Sequence, residues 1–175
     1  MRTINSERLI IRPWELVDAD FLFDLESRSD VVRFLGPQAR TMTARIEAVK
    51  SIIRRRAVDD PIHGIWAITS RTTGQLLGNV LLKPIPLSTD TMGEAPVEIG
   101  WHLHPDAQGA GYATEAANSV MKDAANCGLQ SVIAVTHPDN VASQRVCERV
   151  GMRPLGVSEA YYGERNLLFE KNLSR

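Results

Sequence analysis

The chain has 175 residues, of which 43% are hydrophobic and 23% charged, with a formal net charge of −1. That balance suits one globular domain with a full core and excludes wholesale disorder, collagen-like repeats and coiled coil. Without a basic surplus, no global field draws the chain to nucleic acid or an anionic membrane, so any bound anion must be held by local groups.

Two cysteines, Cys127 and Cys147, are too few for a disulfide framework and suit a reducing compartment. Met1 to Glu7 lacks the apolar run of a secretion signal, and no apolar stretch approaches the ~20 residues of a membrane span. The expectation is a cytoplasmic protein with neither membrane nor nucleic acid as partner.

Leu9-Ile10-Ile11 reads as the first strand, ended by Pro13, which cannot donate to a ladder. Asp18 to Leu25 reads as a short helix with Phe21, Leu22 and Leu25 on one face. Thr43 to Ala57 reads as a second helix capped by Thr43, with Ile46, Val49, Ile53 and Ala57 at helical spacing. Arg54-Arg55-Arg56 at its end reads as a solvated terminus, where cations suit the helix dipole. Ile65 to Thr69 and Gln75 to Leu82 read as strands joined through Thr72-Thr73-Gly74. Pro84 to Pro96, with its prolines and small polar residues, reads as a long loop, either functional or a plain surface insertion.

Val97 to Leu103 is the next strand. Gly111 to Cys127 is the clearest helix, with Ala113, Ala116, Ala117, Val120, Met121 and Ala124 in one apolar stripe and Gly128 to stop it. Val132 to Thr136 is a β-branched strand, Val141 to Val150 a helix stopped by Gly151, and Leu155 to Val157 with Leu167 to Leu173 the last strands. No linker divides residues 1–175, so one domain is expected.

The most informative stretch runs from Val97 through Gly109-Ala110-Gly111 to Ala116: a strand, a glycine-rich turn and a strong helix. The first N–H groups of a helix lack internal partners, glycines let a ligand approach the backbone, and the dipole adds positive charge. That is a phosphate site without a lysine, to which Thr114 can add a hydroxyl. A dinucleotide fingerprint needs a third glycine and an acidic residue ~20 positions later, and a P-loop needs Gly-Lys-Ser/Thr; neither is present. A glycine-rich helix start without any ligand is the plain alternative.

Gln108-Gly109-Ala110-Gly111-Tyr112-Ala113 resembles the Q/R-x-x-G-x-G/A signature of the GCN5-related N-acetyltransferases, with alanine last. Glu98-Ile99-Gly100-Trp101 with Leu103-His104-Pro105 is similar to that family's central strand. The segment from Asn140 to Met152 is similar to its N-x-x-S-x-R-V-x-E-K-x-G-F segment. Ser6 to Pro13 resembles the opening of the branch that includes the ribosomal-protein N-terminal acetyltransferases. The resemblance covers nearly the whole chain.

It implies a mixed α/β domain: a central, mostly antiparallel, V-splayed sheet of about seven strands with helices on both faces. The implied donor is acetyl-CoA, lying where Val97 to Leu103 and Val132 to Thr136 part, with the pantetheine arm pairing as a pseudo-strand near Leu103 and His104. The pyrophosphate would rest on the amides of Gly109, Ala110, Gly111, Tyr112 and Ala113, Gln108 would close the turn, and Asn140 would bond pantetheine. No metal is implied, and although His102-x-His104 with Asp106 nearby invites a metal reading, the two histidines lack a third ligand at characteristic spacing.

The implied acceptor is a primary amine, on a protein N-terminus or a small molecule. Glu98 matches the general base of histone acetyltransferases in the family, and burial would raise its pKa. The competing readings are a structural carboxylate paired with an arginine, or His102 as base. Ser143 matches a serine that some relatives place near the sulfur. Phe34, Trp101 and Tyr161 are the expected acceptor-pocket residues, with Tyr161 and Tyr162 also candidates for the acid. Two departures stand out. Ala110 replaces a frequent lysine or arginine, and Cys147 replaces the usual acidic tyrosine and reads as core packing. The alternative function is a CoA-binding regulatory module without turnover. A homodimer is left open, as is the identity of the acceptor.

Overall fold

Burial alternates along the strands as the sequence pattern requires. In β2 (Leu9–Pro13), Leu9 and Ile11 are fully buried while Ile10 and Arg12 are half exposed. The computed structural model describes residues 1–58, 60–85 and 95–174. Most of the proline-rich loop expected between Pro84 and Pro96 therefore lies outside the described residues.

The described strands are β1 (Ile4–Asn5), β2, β3 (Gly64–Ser70), β4 (Leu76–Pro84), β5 (Val97–Leu103), β6 (Ser131–Thr136), β7 (Arg153–Ser158) and β8 (Asn166–Asn172). They form one sheet in the order β1-β2-β3-β4-β5-β6-β8-β7. Every neighbouring pair is antiparallel except β5 and β6. The eighth strand, beyond the expected seven, is β1. Its two residues pair with Ile10 and Ile11 and are too few to carry a pattern.

Adjacent residues of β3 face opposite layers. Trp66 and Ile68 join Leu9, Ile11, Val80 and Ile99 under helix α4 (Tyr112–Asn126), whose Ala113, Ala116, Ala117 and Val120 present the predicted stripe. Ala67 turns the other way, onto Trp14, α1 (Ala19–Ser27) and α3 (Arg45–Arg56). Helix α5 (Val141–Arg149) joins the α4 layer through Cys147.

Two local readings change. The single-turn helix α2 (Ser29–Val32) is too short for any periodicity to reveal. The cap of α3 is Ala44, not Thr43; the threonine hydroxyl instead donates to Glu47 at 2.8 Å, and Glu47 also accepts from the Thr43 and Ala44 N–H groups. Among the described residues, no helix is long and apolar enough to cross a membrane.

The sheet opens between β5 and β6. Their parallel register holds at Glu98↔Ile133. Beyond it β5 stays on β4 as far as Leu103, and β6 stays on β8 as far as Thr136. The two strands part toward their C-terminal ends, which is the splay the resemblance implies.

Candidate active site

A cavity of about 750 Å³ occupies this opening and reaches both faces of the sheet. Its floor is the β4–β5 ladder. Its first wall is the turn leading into α4, its second is β6 with α5, and a third comes from the segment after α2 and the loop before β8.

The first wall is built almost entirely from backbone. After β5, His104 begins a short 3-10 turn by accepting the Asp106 N–H on Nδ1. The Gln108 side-chain amide donates to the Leu103 carbonyl at 3.2 Å and closes the turn. Gly109 (φ 77°) and Gly111 (φ 82°) adopt left-handed backbone, which side chains with a Cβ resist. Gly111 caps α4 without a side-chain hydrogen bond, so the first helical N–H groups keep their donor capacity. Thr114 carries a buried hydroxyl with no partner among the described residues. Unpartnered donors at the leading end of a long helix fit a diphosphate.

Gln108, Gly109, Gly111, Tyr112, Ala113, Thr114 and Leu103 all line the cavity. Two expected members do not. The Ala110 carbonyl is turned outward to Arg8, and the His104 ring is engaged on Asp24 Oδ2 at 2.9 Å. The expected free backbone near Leu103 and His104 is also partly paired. His104 N–H donates to Leu77, and the Leu103 carbonyl holds Gln108. Both ring nitrogens of His104 thus have protein partners, Nε2 on Asp24 Oδ2 and Nδ1 on the Asp106 N–H.

On the second wall Asn140 and Ser143 both face the cavity. Asn140 Oδ1 accepts the Ser143 N–H at 3.2 Å and so caps α5. Cys147 lies beneath in the core, fully buried, and burial pushes its thiol up to about 12. A thiol held that firmly protonated is packing, in keeping with its sequence reading.

The reacting-group candidates lie on the face shared by Glu98, Gly100 and His102. Glu98 is only 6% exposed, and burial raises its pKa, while the Tyr162 hydroxyl and the Lys83 charge act against the rise. Lys83 stands opposite Glu98 in the ladder. Among the described residues no arginine pairs with this carboxylate; its partner is Tyr162, which donates to Oε2 at 2.6 Å. Burial and the neighbouring Glu98 charge raise the Tyr162 pKa, so the phenol stays protonated.

Phe34 and Trp101 both line the cavity. Tyr161 is corrected: it is buried against Ile85 and Ile133, and its neighbour Tyr162 is the one that faces in. Tyr162 has φ 61°, the one left-handed non-glycine among the described residues, and its ring packs beside Gly36.

A second buried charge cluster was invisible in the sequence. Glu26 from α1 and Arg55 from α3 pair on the same side of the sheet, with side chains 13% and 11% exposed. Arg55 also donates to Asn79 Oδ1, which accepts the Trp14 indole as well. His102 Nε2 stands 3.4 Å from Glu26 Oε1. Burial works to raise the Glu26 pKa, yet His102 and Arg55 together bring it to about 2. Arg55 is therefore no solvated helix end, and Arg56 too is engaged, on the Trp14 carbonyl at 2.8 Å.

Comparisons with known proteins agree with this geometry. Residues 8–153 match the family model described as the acetyltransferase (GNAT) domain. An N-acetyltransferase of Bacillus subtilis strain 168, YnaD, is 28% identical over 154 residues, spanning 87% of this chain and 84% of its own. The crystal structure of a GNAT-family acetyltransferase from Bacillus anthracis superposes with a TM-score of 0.76 at 25% identity, covering 97% of this chain and 96% of the other. RimL, a ribosomal-protein alpha-N acetyltransferase solved with coenzyme A, shares the fold with a TM-score of 0.78 at 16% identity, covering 98% of both chains. The glycine-rich turn, the parted strands and the match over most of the sequence lead to one assignment: the chain belongs to the GNAT family of acetyltransferases and is an acetyl-CoA-dependent acyltransferase.

Proposed function

We propose that this protein moves an acetyl group from acetyl-CoA to a primary amine, on a protein N-terminus or a small molecule, by direct attack in a ternary complex. The observation that carries the proposal is a buried, tyrosine-bonded Glu98 in the same cavity as a backbone anion site.

The donor's diphosphate would rest on the amides between Gly109 and Ala113, with Thr114 adding its hydroxyl. Asn140 Oδ1 is committed to its helix, so Nδ2 is the group free to meet the pantetheine arm. An ammonium must lose a proton before it attacks a thioester carbonyl. Glu98, with its raised pKa, takes that proton directly or through water. Tyr162 holds one carboxylate oxygen and leaves the other for the amine. As the C–N bond forms and the C–S bond breaks, the nitrogen gives up its second proton to the departing thiolate, which leaves as the coenzyme A thiol; Ser143 is the hydroxyl on the α5 wall able to hydrogen-bond that sulfur. Holding both substrates in one cavity supplies much of the acceleration.

The fold shared with RimL supports testing protein N-termini first. Both cysteines are free thiols, which supports a cytoplasmic setting. The test is thiol release from acetyl-CoA across a panel of amines and peptide N-termini. Saturable release with at least one acceptor is expected. Coenzyme A binding without release for any acceptor would overturn the proposal in favour of a regulatory module.

A further inference from the structure

The glycine-rich turn is braced from behind by a residue far away in sequence. Arg8, between β1 and β2, donates through Nη1 to the Ala110 carbonyl at 3.0 Å. Its Nε donates to Glu115 Oε2 at 2.7 Å, and its guanidinium lies 4.9 Å from the centre of the Tyr112 ring. Glu115 is fixed in turn by the Ser6 hydroxyl at 2.7 Å and the Arg8 N–H at 2.8 Å, both on Oε1. The Arg8 side chain is absent from the cavity lining, as is Ala110, whereas Gly109 and Gly111 are present.

A trans peptide is planar, with C=O and N–H pointing in opposite directions. Holding the Ala110 carbonyl outward on Arg8 therefore turns the Gly111 N–H away from Arg8, toward the cavity that Gly111 lines. Without that hold, the peptide leading into the left-handed Gly111 has little to fix its rotation. Glu115 also matters electrostatically. Its carboxylate sits in the first turn of α4, where it would oppose a diphosphate, and Arg8 neutralises it.

We propose that Arg8 is a positioning residue for the donor's diphosphate: it presents the turn's amides to the anion and offsets Glu115, standing in from β2's leading end for the cation that Ala110 lacks. This rests on the reading of the turn as the coenzyme A site.

The test compares binding of coenzyme A with binding of pantetheine, the same arm without the diphosphate, by calorimetry and displacement. Arg8→Met should weaken coenzyme A roughly tenfold, the order expected for one charged hydrogen-bonding group, and leave pantetheine within about twofold. Arg8→Lys keeps one donor but cannot hold Ala110 and Glu115 together, so it should fall between wild type and Arg8→Met. Should Arg8→Met fail to fold, Arg8→Lys carries the same comparison. Unchanged coenzyme A affinity in the folded variants, or equal losses for both ligands, would overturn the brace. Wild-type protein that fails to bind coenzyme A would instead overturn the underlying reading of the turn.

Discussion

The Tyr162 hydroxyl lies 2.6 Å from Glu98 Oε2, held there by a left-handed backbone. Such a conformation costs a bulky residue about 1–3 kcal/mol, and it is sustained here by packing against Gly36 and by the bond to a buried carboxylate. The strain turns this side chain into the cavity, where its partner is the candidate base.

Removing that base gives the first prediction. Glu98→Gln should lower kcat by roughly 10²–10⁴-fold, the range for loss of a positioned base, with coenzyme A affinity nearly unchanged. Because the Glu98 pKa is raised, the wild-type rate should fall on acidification at a higher pH than for an ordinary glutamate. Glu98→Gln should erase that limb, and an identical pH–rate profile would remove Glu98 from the mechanism. The same rise carries a stability sign. A raised carboxyl favours the fold below its unfolded value and disfavours it once ionised, so Glu98→Gln should melt higher than wild type at pH 7, with the gap closing toward pH 4.

Tyr162→Phe tests the hydroxyl alone. It removes the hydrogen bond that works against the rise in the Glu98 pKa. The acidic limb of kcat/KM should therefore move to higher pH, with the fold intact by circular dichroism. A limb that stays in place would show that Tyr162 does not tune the base.

Gly111→Val addresses the anion site. At φ 82° a β-branched residue is strained by about 1–2 kcal/mol, and its Cβ would come into contact with Arg8 Nη2 at 3.5 Å. Coenzyme A affinity should fall by roughly tenfold or more, again from the loss of aligned donors. Titration calorimetry checks this; normal affinity would rule out the backbone cradle.

The Glu26–Arg55 pair sets a pH window for stability. His102 and Arg55 hold the Glu26 carboxyl down to about 2 in the fold, against about 4.5 for an ordinary glutamate. A depressed carboxyl stabilises the fold above its unfolded value and loses that contribution as pH falls toward about 2. The shift corresponds to about 3 kcal/mol as an order of magnitude. Arg55→Met leaves Glu26 buried without its cation and should destabilise the protein by about 3–5 kcal/mol at pH 7. It should also flatten the loss of stability between pH 4.5 and 2, measured by urea unfolding at several pH values.

What the sequence disclosed follows from how far apart the cooperating residues lie. The turn from Gln108 to Thr114 and the stripe of α4 are contiguous, so spacing alone revealed them. Glu26, Arg55, Asn79 and His102 come from four elements, and only packing brings them together. The choice between Tyr161 and Tyr162 failed for another reason: the segment before β8 is irregular, without the alternation that would assign faces, and one left-handed residue decides which ring enters the cavity. Ala110 looked like a missing cation because Arg8, its partner, is a hundred positions away.

The single parallel rung at Glu98↔Ile133 has a mechanical consequence. Among the described residues, five strands on one side and three on the other are joined through the sheet at that point alone, so the wedge beyond it is a seam. A pantetheine arm lying there would serve as mortar as well as cargo, knitting the two slabs by its own amides. Amide-hydrogen protection along both lips of the seam should then report donor occupancy before any chemistry occurs.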